Sequence, residues 1–388
     1  MSFERSKGKT LWAVYAGGFL LALHYASVAY VNSSLLKQFV GDRGVSMLFV
    51  LGSILSIASL ISAPFLLRKF GNISVLVFFA TLEIFAIFGM ASLTLAYAVF
   101  LAFLLHQSAE SILYLSLDLS LEAETKKETV TGGNRGAFLT VQNIAWVLSP
   151  LALSFLAKNG DFDKVYYLSA LALLPLILIG LSFFKKTERA KKIDADFISV
   201  IRSLKKHKDK TRIIGAQFVL QFYFAWMLIY LPLALNLEVG FDWQKIGLIF
   251  TIMLIPYLIF ELPAGLLGDK KLGEKEILLA GFAIMAVSTA TIPLLKMPIF
   301  ALWAIILFTT RIGASLVEIS SESYFFKHVK EDDTGLISLF RMARPFSLIV
   351  APILALPIVS IFSYSTSFFF LAGFAALGLF FLPKTDTK

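Results

Sequence analysis

A dozen apolar stretches of membrane-spanning length leave this chain almost no water-soluble fold to adopt. They fall near residues 10–33, 45–68, 73–93, 94–122, 134–157, 163–185, 211–237, 243–266, 277–295, 298–323, 334–358 and 363–383. About 20 apolar residues in a helix cross the roughly 30 Å of bilayer hydrocarbon. Inside that hydrocarbon every backbone N–H and C=O must find its partner within the protein, which leaves helices or a closed barrel. Runs this long read as helices. Composition agrees, since charged residues are 16% of the chain against about 25% in soluble domains. The expected class is an all-α integral membrane protein with 12 transmembrane helices.

The chain also repeats itself. Asp118 and Glu122 close the fourth stretch, and Glu318 and Glu322 close the tenth, 200 residues later. Gly133 and Pro150 bracket the fifth; Gly335 and Pro352 bracket the eleventh, 202 residues later. Six spans repeated in parallel predict two six-helix bundles facing each other across a central cavity, an arrangement suited to alternating access. The expected organisation is a bundle over 1–184, a cytoplasmic linker over 185–212 and a second bundle over 213–388.

Lys and Arg fix the expected orientation. An even span count puts both termini on one side, and that side carries 26 of these residues. The opposite side carries six: Lys37, Arg43, Lys158, Lys164, Lys245 and Lys296. Arg311, Arg341 and Arg344 lie within or beside spans. Positive loops face the cytoplasm, so both termini are expected inside. The net charge of +9 thus belongs to juxtamembrane loops that meet anionic lipid, and it argues against nucleic acid as a partner. The first stretch lacks a convincing cleavage site and reads as a retained span. In the linker, Phe197, Ile201 and Leu204 have the spacing of a short amphipathic helix on the inner membrane surface, although a solvated linker fits the same residues.

Between spans 8 and 9, GLLGDKKLGEK (Gly265 to Lys275) has a glycine, an aspartate four residues on, then basic residues around Gly273. This segment resembles the loop motif of the major facilitator superfamily. Gly265 would permit close packing, Gly273 a turn, and Asp269 would accept hydrogen bonds from a facing helix amino terminus. The resemblance implies that Asp269, Gly265 and Gly273 steady a cytoplasmic gate. One extra residue separates Asp269 from Gly273, and the matching first-half loop, LLRKFGN (Leu66 to Asn72), has no aspartate. Span 5 is similar to that of drug-exporting members, with Gly136, Ala145, Ser149 and Pro150 at the small-residue positions. Two glycines of that pattern are replaced, and His106 stands near where such exporters carry an arginine in span 4. The resemblance spans essentially the whole chain and implies a secondary transporter of a small solute.

Ionisable groups inside a membrane are costly and mark function by default. Span 4 carries His106, Glu110, Tyr114 and Asp118 at four-residue steps, an arc of about 120°. Glu110, near mid-span, and His106, one turn away, are the expected proton-coupling pair; a structural ion pair is the alternative. Span 10 carries Arg311, Glu318 and Glu322 within about 20° of one line. In the family, spans 1, 4, 7 and 10 line the cavity. Arg311 there would anchor an anion or offset Glu110. Asp118, Glu122, Glu318 and Glu322, with Arg135, Arg341 and Arg344, would organise the gate. Gln217 and Gln221 in span 7 form a polar stripe, with Trp226 and Tyr230 read more readily as interface anchors. His24 and Tyr25 in span 1, and Gln142, Asn143 and Trp146 in span 5, are further cavity candidates. Glu83 in span 3 has no partner readable from sequence.

No nucleotide-binding loop, HExxH site or GxSxG turn is present. With no cysteine and four scattered histidines, no metal constellation is expected, nor any cofactor. The expected function is a monomeric secondary active transporter in the cytoplasmic membrane. It would be coupled to protons and favour export of an amphipathic or anionic organic solute. Uptake of a sugar or metabolite is the alternative, followed by a non-transporting sensor, scaffold or membrane enzyme.

Overall fold

The computed structural model describes residues 2–29, 31–40, 42–125, 131–156, 162–184, 208–241, 243–295, 297–329 and 333–384. The linker segment expected to form an amphipathic helix lies outside them. All regular structure among the described residues is helical. The first half of the chain forms α1 (Ser2–Ala29), α2 (Asn32–Lys37), α3 (Asp42–Phe70), α4 (Asn72–Ser92), α5 (Ala96–Glu124), α6 (Thr131–Leu156) and α7 (Asp163–Phe183). The second half forms α8 (Lys208–Leu233), α9 (Trp243–Leu267), α10 (Glu274–Thr291), α11 (Phe300–Lys327), α12 (Thr334–Arg341), α13 (Ala343–Ile361) and α14 (Tyr364–Leu377). Eleven helical stretches among the described residues are long and apolar enough to cross a membrane. The expected span 10–33 is divided, because α1 stops at Ala29 and α2 restarts at Asn32.

Two compact units arise, and their sequences interleave. Unit one comprises Met1–Lys126, Val141–Val200 and Val329–Pro345; unit two comprises Lys127–Thr140, Ile201–His328 and Phe346–Lys388. In unit one, α1 packs on α7, α4 on α5 and α7, and α3 on α5, with α12 seated on α3 and α5. In unit two, α10 and α9 both pack on α11, and α14 packs on α10 and α8. Outward positions are apolar: Phe85 of α4 is 70% exposed and Val287 of α10 is 69% exposed, a surface that only lipid solvates without penalty.

The tightest packing in unit two rests on two glycines. A Cβ on Gly313 would lie 2.5 Å from the Met285 nitrogen and 2.7 Å from the Gly281 oxygen. Without side chains at these positions, the backbones of α10 and α11 touch.

The internal repeat reappears as matching corners. Gly71, between α3 and α4, and Gly273, before α10, have φ of 80° and 83°, where glycine escapes the penalty a side chain incurs. The next residue in each case reaches a neighbouring helix. Asn72 Nδ2 donates to the Ser116 carbonyl and Ser120 Oγ, both at 2.9 Å. Glu274, 202 residues on, accepts from Ser323 Oγ at 3.1 Å and from Lys327 Nζ at 2.5 Å. A neutral amide thus does in one half what a carboxylate does in the other.

Candidate functional site

Unit one buries a polar chain that crosses five helices. Glu83, near the middle of α4, is fully buried, and its Oε1 meets His106 Nδ1 of α5 in a short contact. His24 Nε2 of α1 lies 3.0 Å from the same oxygen, although the pair is not aligned as a hydrogen bond. Outer contacts hold both rings. His24 Nδ1 lies 2.7 Å from Ser169 Oγ and 3.3 Å from the Ser169 carbonyl of α7. His106 Nε2 faces Asn32 Nδ2 of α2 at 3.4 Å, and Tyr166 of α7 donates to Asn32 Oδ1 at 2.9 Å. The histidines that look scattered in sequence therefore include two that converge on one carboxylate. The facing atoms of His24, Glu83 and His106 all lie within 4.8 Å of one another.

One turn along α5, Glu110 accepts from Arg344 Nη1 at 3.2 Å. The Arg344 guanidinium lies over the Tyr25 ring, 4.6 Å from its centroid. Tyr25 is in turn edge-on to Tyr114 and Trp146, at 6.4 and 5.6 Å. Asp118, two turns further on, takes Arg341 Nε at 2.5 Å and Nη2 at 2.8 Å. Glu110 and His106 thus hold different partners. Arg311, read from sequence as a possible offset to Glu110, belongs to unit two.

In unit two, Arg311 is 6% exposed, and its Nε and Nη1 have no hydrogen-bond partner among the described residues. Its guanidinium lies 5.6 Å from the Tyr223 ring centroid and 5.5 Å from that of Phe224. Tyr223 is held by a 2.9 Å hydrogen bond to Thr289. Tyr257 lies within electrostatic reach of Arg311, Glu318 and Glu261. Gln217, one turn from half-buried Gln221, accepts from Ser321 Oγ at 3.1 Å. Trp226 and Tyr230 are both buried. Trp226 donates to Ser367 Oγ at 3.3 Å, because α14 covers that face of α8.

A charged clasp closes the motif end of unit two. Asp269 accepts from the Gly133 backbone N–H at 2.7 Å, in the first turn of α6, and pairs with Lys327 at 2.9 Å. Lys327 also reaches Glu274. Gly136 lies against α9, where a Cβ would meet the Glu261 carbonyl at 2.7 Å. Gly265 sits within α9, four residues before Asp269. Arg135 pairs with Glu322 at 3.6 Å and covers the Phe326 ring. Glu122, near the end of α5, and Glu318, within α11, are half-buried.

Sequence reasoning missed Glu83, Asn32, Tyr166 and Lys327 as members of these networks. Their partners lie on other helices at separations no local pattern encodes. The one available signal was a lone carboxylate in mid-span.

A sequence model of the Major Facilitator Superfamily matches residues 213–388. No curated protein matches the sequence. The fold is similar to that of the human organic anion transporter MFSD10 (TETRAN), with a TM-score of 0.80 at 13% identity, over 97% of this chain and 99% of that one. It is also similar to the proton:xylose symporter XylE bound to 6-bromo-6-deoxy-D-glucose, with a TM-score of 0.73 at 14% identity, over 97% of this chain and 95% of that one. The second half of the chain thus matches the superfamily's sequence model, and the whole chain shares the fold of these two transporters. In this chain the loop segment that resembles the superfamily motif is built in the second half as the Asp269–Gly133–Lys327 clasp. The first half has Asn72 and two serines at the matching corner.

Proposed function

We propose that this protein is a proton-coupled secondary active transporter that exports a small organic anion across the cytoplasmic membrane. It would work as a monomer by alternating access between two six-helix halves. Arg311 carries this reading. Burying a guanidinium costs several kcal/mol unless a counter-charge and hydrogen bonds offset the loss of water. Two of its nitrogens have no hydrogen bond among the described residues. A solute carboxylate would supply both charge and acceptors, while Tyr223 and Phe224 would offer ring faces to an apolar body. The structural neighbour MFSD10 is named for organic anions. Asp269, Lys327, Arg135, Glu322, Asp118 and Arg341 are assigned to gating. Export rests on the small residues Gly136, Ala145 and Ser149 of α6.

Purified protein in nanodiscs should bind aromatic carboxylates, and Arg311→Gln should weaken that binding about 10- to 100-fold, as loss of a charge-assisted hydrogen bond implies. Arg311→Lys should retain part of it. Equal binding of carboxylates and their neutral amides by the wild-type protein would overturn the anion assignment. Proteoliposomes of known orientation then give the direction of flux.

A further inference from the structure

We propose that His24, Glu83 and His106 form a binding site for one divalent transition-metal ion of the zinc class, enclosed within unit one. The ion is resident and ties α1, α4 and α5 together. This goes beyond the transport reading above and does not depend on it.

Each residue comes from a different helix and offers a donor such ions take, two imidazole nitrogens and a carboxylate oxygen. His24 Nε2, Glu83 Oε1 and His106 Nδ1 lie within 4.8 Å of one another, and all three side chains are fully buried. His24 Nε2 and Glu83 Oε1 are 3.0 Å apart. Neighbouring donors that each stand about 2.0–2.1 Å from one ion are separated by roughly that distance. Two atoms of the cluster also need a partner. His24 Nε2 makes no aligned hydrogen bond despite its contact, and Glu83 Oε2 has no hydrogen-bond partner among the described residues. A buried polar atom in that position has lost water and gained nothing in return. One cation between the rings and the carboxylate satisfies both.

The far side of each ring suits a ligating histidine, which as a rule donates its other N–H to an oxygen. His24 Nδ1 lies 2.7 Å from Ser169 Oγ and 3.3 Å from the Ser169 carbonyl. The Ser169 hydroxyl donates to the His24 carbonyl at 3.0 Å, which leaves its oxygen free to accept from Nδ1–H. His106 Nε2 faces the Asn32 amide at 3.4 Å. Turning that amide over sets Oδ1 toward Nε2–H and Nδ2 toward Tyr166, whose phenol oxygen accepts as well as donates. The ion-bound state thus has both rings neutral, with hydrogens at His24 Nδ1 and His106 Nε2, and Glu83 ionised. Three coordinate bonds form, and no covalent bond breaks beyond a shift of ring hydrogens. Glu110, one turn along α5, supplies a second negative charge, because its partner Arg344 is 38% exposed and keeps part of its hydration. Imidazole donors select against Mg²⁺ and Ca²⁺, which take oxygen ligands.

The test uses full-length protein in nanodiscs, stripped with chelator and then dialysed against Zn²⁺. The wild type should hold one equivalent that survives gel filtration in metal-free buffer. X-ray absorption at the zinc edge should show nitrogen and oxygen neighbours at about 2.0–2.1 Å and the outer scattering of imidazole. His24→Gln, Glu83→Gln and His106→Gln should each weaken binding by more than about 100-fold, and Ser169→Ala, which removes only an outer contact, by about 10-fold. His328→Gln, in unit two, should bind as the wild type does. Zn²⁺ should raise the melting temperature of the wild type and leave that of the triad variants unchanged; melts without metal show which variants fold. If no triad variant folds, the wild-type stoichiometry, the absorption spectrum and Ser169→Ala decide. A wild type that retains no zinc overturns the proposal, as does a spectrum without imidazole. Equal binding by a folded triad variant marks zinc held at the surface and overturns it too. Displacement of Zn²⁺ by an equal concentration of Mg²⁺ or Ca²⁺ overturns the assigned class of ion.

Discussion

Single ion pairs carry much of this molecule's internal order, and burial ranks them. Arg135 and Glu322 are each 1% exposed. Removing one charge leaves the other without solvent, so Arg135→Gln should cost about 3–5 kcal/mol. Arg341 is 22% exposed where it meets Asp118, so water can replace part of the lost pair. Arg341→Gln should lower the melting temperature in detergent less than Arg135→Gln does. Equal losses would mean that the Phe326 stacking of Arg135, and not its charge, dominates. Lys327 bridges two carboxylates. Lys327→Met should therefore be more harmful than Lys327→Met combined with Asp269→Asn and Glu274→Gln, a comparison that thermal melts can read.

At the scale of helices, the absence of side chains matters as much as their presence. Gly313 has no room for a methyl group, whereas a Cβ on Gly373 of α14 meets nothing within 4 Å. Gly313→Ala should destabilise by about 1–3 kcal/mol through forced separation of α10 and α11. Gly373→Ala should be neutral or slightly stabilising because alanine favours helix. Matching melting curves for these two variants would contradict the close approach. The corner glycines form a second class. Gly71 has open surroundings and Gly273 is buried, and both have positive φ, so alanine there should cost about 1 kcal/mol through backbone strain.

At the scale of the whole molecule, the two compact units do not coincide with two stretches of sequence. Residues 127–140 count with unit two and residues 329–345 with unit one. The first segment brings Gly133 to Asp269 and Arg135 to Glu322; the second brings Arg341 to Asp118 and Arg344 to Glu110. A chain divided between residues 185 and 207 should therefore yield two fragments that co-purify when expressed together. Either fragment expressed alone should be less stable, because its buried charges lose their partners. Fragments that purify separately with unchanged melting would show that the exchanged segments contribute little. The sequence by itself determined the membrane-helical class, the approximate spans and a loop segment at Asp269 that resembles the superfamily motif. Those depend on local quantities: apolar run length, residue size and the spacing of glycines along one helix. It also marked Glu110, His106, Arg311 and Asp118 as costly groups that need company. Only the tertiary structure decided the company. Glu83 and His24 are 59 positions apart, on helices whose mutual rotation no single-helix pattern records. Their meeting follows from packing, since burying one carboxylate requires donors from several helices at once.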